Sequence, residues 1–222
     1  MPFQTSVYNS LKNQIDSNVT IVAVSKTKPI ADLQEAYKTG VRDFGENYVQ
    51  ELVDKNEALP KNIHWHFIGH LQSNKVKYIA PFVHLIHGVD SEKLLIEINK
   101  QGQKINKKIS CLLQIYIAKE ETKFGLNEDE LESIIQKLPQ LPFVQISGMM
   151  GMASFSSDSQ IVKSEFDTLK QLFDKYSTSS TENFNLETLS MGMSGDYKMA
   201  ISCGSNMIRI GSMLFGEREY KK

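Results

Sequence analysis

Short apolar runs alternate with longer amphipathic stretches along this chain. The runs are Thr20–Ser25, Val41–Phe44, His64–Gly69, His84–Val89, Ser110–Ile117, Val144–Met150, Leu186–Met191 and Met207–Gly211. Most are nearly continuous in apolar character, which is the pattern of parallel strands buried on both faces. Between them, apolar positions recur at helical spacing. Ile30–Thr39 stops at Gly40, which suits a helix C-terminus. Asn47–Ala58 stops before Pro60, and Ser91–Lys100 stops before Gly102. Asn127–Lys137 opens on Asn127 followed by Glu128, Asp129 and Glu130, a cap and charges that favour a helix N-terminus. Ser159–Tyr176 sets Ile161, Phe166, Leu169 and Phe173 on one side. A further helix, Val7–Ile15, is expected before the first run, and Ser177–Asn185 reads as a solvated loop before the seventh.

Eight such alternations predict an α/β protein: a single (β/α)8 TIM-type barrel with an extra N-terminal helix. A doubly wound open sheet gives a similar string. The 222 residues match one barrel of about 200–250 residues, so residues 1–222 are expected to form one domain. A net charge of −1 argues against nucleic acid or an anionic membrane as partner. Lys104, Lys107 and Lys108, like Lys221–Lys222, read as solvated helix ends. Cys111 and Cys203 stand far apart and outside any CxxC pair, so they read as buried thiols. Neither a secretory leader nor a run long enough to span a membrane is visible, which makes the cytoplasm the expected location. A closed barrel has no free sheet edge, and without an apolar surface stripe a monomer is expected.

In a barrel of this kind the functional residues sit at the C-terminal ends of the strands. Lys26 follows the first run and shares a face with Val22 and Val24. If that face points inward, the amine sits at the barrel mouth, where desolvation lowers its pKa and lets it attack an aldehyde. Otherwise it snorkels to solvent. Arg209 lies between Ile208 and Ile210, so it needs either a carboxylate partner such as Glu46 or a ligand in the mouth. Two turns, Met193-Ser194-Gly195-Asp196 and Gly211-Ser212, follow the seventh and eighth runs. Each could simply cap a helix. Together they occupy the two loops that often bind phosphate in barrels. His64 and His66 share a face without an evident third ligand, so no metal is expected.

These residues lie in six ordered segments: AVSKTKP (23–29), FGENYVQE (44–51), WHFIGHLQSNKVK (65–77), KFGL (123–126), LSMGMSGDY (189–197) and RIGSMLFGER (209–218). Over almost its whole length the chain resembles the pyridoxal 5′-phosphate (PLP) homeostasis proteins. That family is in turn similar to the barrel domain of alanine racemase-type, fold type III, PLP enzymes. The resemblance implies PLP as cofactor, held as a Schiff base on Lys26. It implies Ser194, Gly211 and Ser212 around the phosphate, with Met193 contributing backbone in the same turn. Arg209 would face the pyridine nitrogen, and Asn47 would lie beside the ring. Two positions depart from the family pattern. Ser212 stands where many relatives carry threonine, and Gly151 lacks a hydroxyl that many have at the end of the sixth strand.

An arginine at the pyridine nitrogen stays charged and cannot take a proton from it, so the ring would be a weak electron sink. The sequence also ends soon after Arg209, so no second domain of the racemase kind is expected. The resemblance therefore implies a PLP carrier and buffer with little or no catalysis, serving apo-forms of PLP-dependent enzymes. A PLP-dependent amino-acid racemase is the alternative, and a phosphate-binding barrel enzyme without PLP is a third reading.

Overall fold

The computed structural model describes residues 2–118, 124–179 and 181–216. Its strands are β1 (Thr20–Val24), β2 (Asp43–Glu46), β3 (His64–Phe67), β4 (Leu85–Val89), β5 (Ile109–Gln114), β6 (Val144–Met150), β7 (Phe184–Met193) and β8 (Met207–Ile210). All are parallel to their neighbours, and the sheet closes in chain order, with β8 pairing back onto β1. The helices around it are α1 (Thr5–Gln14), α2 (Ile30–Lys38), α3 (Val49–Ala58), α4 (Val76–Ile79), α5 (Glu92–Lys104), α6 (Glu128–Lys137), α7 (Ser159–Ser177), α8 (Tyr197–Ser202) and α9 (Ser212–Phe215). This is the expected (β/α)8 barrel with an extra N-terminal helix. Closure excludes the open doubly wound sheet.

Burial divides the side chains into two layers. Outward-facing strand residues such as Phe44, Trp65, Phe67 and Phe184 pack under the helices in one large core. The barrel interior holds a smaller apolar cluster of Val22, Leu85, Leu112, Met150 and Met207. The rest of the interior is polar, with His66, His87, Ser190 and Arg209 all buried. Inward parity on β1 runs Val22, Val24, Lys26, as the alternation of strand side chains requires.

Several boundaries move for physical reasons. β2 starts at Asp43 and takes in Glu46, because that charge is met by a lysine across the layer. Tyr48 stays extended and α3 begins at Val49, which leaves Asn47 at the end of β2. The predicted loop Ser177–Asn185 shrinks from both sides, since α7 reaches Ser177 and β7 begins at Phe184. At α6, Asn127 and Glu130 form a reciprocal capping box. Cys111 and Cys203 are buried free thiols, as expected. Lys104 closes α5, Lys107 donates to Pro81 O and Val83 O, and Lys108 pairs with Glu182. Lys221–Lys222, and Lys123, Glu217 and Arg218 of the quoted segments, lie outside the described residues. Among the described residues, no helix is long and apolar enough to cross a membrane.

Candidate functional site

The turn after β1 carries Lys26 and is pinned from behind by a buried ionic cluster. Lys55 of α3 donates to Glu46 Oε1 and Glu51 Oε1, both at 2.7 Å, and to Ser25 O at 2.8 Å. Ser25 Oγ donates to Glu46 Oε1 at 2.5 Å, and Thr27 N–H donates to Glu51 Oε1 at 2.6 Å. Thr27 itself has φ 65, a left-handed conformation costly for a β-branched residue. The hydrogen bonds on either side of it hold that geometry. Burial pushes the Glu46 carboxyl up to about 7, against the opposing charge of Lys55. Its Oε2 is buried and, among the described residues, without a partner.

The two Gly/Ser turns meet. Gly211 N–H donates to Ser194 Oγ at 3.3 Å, which ties the loop after β8 to the loop after β7. Neither serine caps the helix that follows it. The residues at the starts of α8 and α9 are Asp196 and Gly211, and neither makes a side-chain cap bond. Asp196 instead accepts from Met193 N–H at 2.6 Å and shapes the turn. The simple capping reading of these serines is thereby set aside.

Arg209 makes no ion pair with Glu46, whose cation is Lys55. Its guanidinium donates to Ser190 O at 3.0 Å, Ser190 Oγ at 2.7 Å and Gly151 O at 3.1 Å. Burial pushes its pKa down to about 10, so it is still charged at neutral pH. Gly151 contributes through its carbonyl. A Cβ there would meet Leu169 and Ile117 at 2.7 and 2.8 Å, in the layer under α7. A side chain at this position points away from the mouth, so the glycine leaves the mouth unchanged.

These elements enclose a cavity of about 370 Å³ at the C-terminal mouth of the barrel. All seven residues expected to serve the site, Lys26, Asn47, Met193, Ser194, Arg209, Gly211 and Ser212, line it. Lys28, Ile68 and Met152 line it as well. Ile68 was not anticipated, although it stands two residues beyond an inward-facing position, His66. Asn47 Oδ1 is buried and lacks a partner among the described residues, so the cavity wall offers an unused acceptor. The amine, the arginine and the two serine-bearing turns suit a ligand with an aldehyde, a ring nitrogen and a phosphate. A larger cleft of about 720 Å³ lies outside the barrel against α7 and α8, sharing Ser194 and Gly195 with the mouth. It contains neither Lys26 nor Arg209.

His66 is committed elsewhere: its Nε2 meets Asp43 Oδ1 at 3.1 Å and its Nδ1 meets His87 Nε2 at 2.9 Å. Among the described residues no group of three or more His, Cys, Asp or Glu could hold a metal ion.

Comparison with known proteins places this geometry. A family model described as "Alanine racemase, N-terminal domain" matches residues 6–219, so fold and cavity define a barrel of the alanine racemase N-terminal class. A pyridoxal phosphate homeostasis protein of Pasteurella multocida is 38% identical over 210 residues, covering 93% of this chain and 90% of the relative. One from Synechocystis is 38% identical over 221 residues, covering 97% and 99%. The chain belongs to this family of pyridoxal phosphate homeostasis proteins. The structure of PipY from Synechococcus elongatus without PLP superposes with a TM-score of 0.90 at 32% identity, covering 96% of this chain and 99% of that one. The same protein with PLP bound gives 0.87. Alanine racemase of Clostridium difficile gives 0.78 at 16% identity, with 97% of this chain on 56% of that one, and shares the fold alone.

Proposed function

We propose that this chain binds pyridoxal 5′-phosphate in the mouth cavity, covalently through Lys26, and buffers or supplies it with little or no catalysis. The observation that carries this reading is the meeting of Lys26, Arg209 and the Ser194 and Gly211-Ser212 turns around one cavity. When bound, the cofactor supplies an aldehyde that a lysine amine can capture reversibly. Lys26 provides that amine from a turn whose backbone is fixed by Glu51 and Lys55. Ser194 and the Gly211-Ser212 turn hold the phosphate, while Met193, whose N–H is taken by Asp196 Oδ1, lines the same turn. Asn47 borders the ring and offers Oδ1 as an acceptor. Arg209 keeps a positive charge against the ring nitrogen and so prevents its protonation, which weakens any carbanion chemistry and favours storage over turnover.

The test is the absorption spectrum of the purified protein with PLP, followed by borohydride reduction and peptide mass mapping. Label should appear on Lys26 and vanish in Lys26→Ala. A label elsewhere, or no imine band, would remove the central assignment. Measured turnover of an amino acid enantiomer would move the protein to the racemase reading.

Cytoplasmic location, a monomeric state and apo-enzymes that depend on PLP as recipients belong to the same proposal. A lysine of the recipient would take the cofactor by transimination, freeing the Lys26 amine, and Lys28, which also borders the cavity, would assist by displacing Lys26 first. Transfer to an apo-enzyme should therefore run faster than spontaneous loss from the carrier. Equal rates would rule out direct hand-over.

A further inference from the structure

A line of polar side chains crosses the barrel interior from mouth to foot. At the mouth, Arg209 Nη1 donates to Ser190 Oγ at 2.7 Å. Ser190 Oγ lies 3.2 Å from His87 Nδ1, and His87 Nε2 lies 2.9 Å from His66 Nδ1. His66 Nε2 lies 3.1 Å from Asp43 Oδ1, at the start of β2. Ser190, His87 and His66 are 0% exposed. Five strands contribute one residue each, and only one of these residues, Arg209, touches the cavity.

The charged ends decide where each hydrogen sits. A guanidinium only donates and an ionised carboxylate only accepts. Burial alone would raise the Asp43 pKa, but hydrogen bonds and charge from His66 and His64 outweigh it and hold the carboxyl below its ordinary value. His66 therefore gives Nε2–H to Asp43, which leaves its Nδ1 as the acceptor position. His87 fills that position with its own Nε2–H. Burial, then the charges of His66, Arg209 and His84, push the His87 pKa well below the ordinary range, so His87 carries one proton. Its Nδ1 is bare in turn and takes the Ser190 hydroxyl hydrogen, while Ser190 Oγ accepts from Arg209. The opposite direction would need hydrogens on both ring nitrogens of His66. It would also leave the Ser190 hydroxyl hydrogen without this acceptor.

We infer that Ser190 and His87 are positioning residues for Arg209, acting through a one-way hydrogen-bond chain Arg209 → Ser190 → His87 → His66 → Asp43. Three of the five guanidinium N–H groups are committed to Ser190 and Gly151 among the described residues. The remaining N–H groups, one on Nη2 and one on Nε, are the donors left for the ligand. Each link polarises the next, so the foot of the barrel helps to orient the cation at its mouth. The role toward PLP rests on the function proposed above; the direction of the chain does not.

The experiment is long-range imidazole NMR of the full chain labelled with nitrogen-15 histidine, with and without PLP, combined with Ser190 variants. His66 and His87 should each be protonated on Nε2 alone, already in the PLP-free protein. A doubly protonated His66, or His87 with its proton on Nδ1, would overturn the chain. Ser190→Ala should mix the His87 tautomers, move the imine absorption band and weaken PLP binding about tenfold, the loss expected of a charge-assisted hydrogen bond. Ser190→Thr, which keeps the hydroxyl, should restore all three. A folded Ser190→Ala protein with unchanged tautomers, band and affinity would overturn the positioning role. If that variant does not fold, the wild-type tautomers and Ser190→Thr still decide. If wild-type protein shows no imine band, the cofactor reading and Arg209's role toward it fall, and the PLP-free spectrum decides the direction of the chain.

Discussion

Lys55→Met should lower the free energy of unfolding by about 3–5 kcal/mol at pH 8, the range seen when one partner of a buried ion pair is removed. The substitution keeps the aliphatic stem but leaves Ser25 O, Glu46 and Glu51 without their shared donor. The loss should depend on pH in a definite sense. The folded-state pKa of Glu46, about 7, lies above its ordinary 4.5. The stability contributed by this group is therefore complete below pH 4.5 and fades as pH rises through 7. In Lys55→Met the opposing cation is gone, so the Glu46 pKa rises further and the fading continues to higher pH. The gap between wild type and variant should widen from pH 5.5 to pH 8 in urea unfolding. A gap independent of pH would mean that Glu46 is ionised throughout and that burial does not govern it. The same variant frees Ser25 O and removes the cation from Glu51, the acceptor of Thr27 N–H, so PLP loading should fall with stability.

Gly69→Ala should weaken PLP binding by about tenfold to a hundredfold, the scale on which displacement of a positioning group by an ångström is felt. A Cβ at this position would lie 2.4 Å from Asn47 O and 2.8 Å from Asn47 Cα. Backbone cannot yield as a flexible side chain does, so Asn47 has to move, at a stability cost of about 1–3 kcal/mol. Spectroscopic titration with PLP measures the first effect and denaturant unfolding the second. A folded variant with wild-type affinity would remove Asn47 from the site.

The barrel was legible because parallel strands buried on both faces read as apolar runs, and β6 spans the very residues of its run. β2 was misjudged because Glu46 reads as a strand terminator until Lys55, on the next helix, is placed beside it. The two short helices Tyr197–Ser202 and Ser212–Phe215 fall where a helix was expected after each Gly/Ser turn. Val76–Ile79, a single turn, carries too little periodicity to be seen. The mouth residues were accessible from strand parity together with the family resemblance. The partner of Arg209 was not, because Ser190 belongs to another strand and Gly151 contributes only a carbonyl. His66 and His87 were visible as polar positions within apolar runs, but their 2.9 Å contact depends on how two separate strands are staggered.

β1 pairs with β8 through Thr20↔Met207, Ile21↔Ile208, Val22↔Arg209 and Ala23↔Ile210. The cavity is accordingly built from opposite ends of the sequence, with Lys26 on one side and Ser194, Arg209 and Ser212 on the other. A nascent chain cannot assemble it until nearly all of these strands have emerged, and pairings of such high contact order form slowly. Any ligand that bridges the two halves is bound only by the closed barrel and stabilises closure by mass action. Cofactor supply would then act on the half-life of the protein as well as on its cargo, with the loaded chain resisting proteolysis at the seam between its first and last strands.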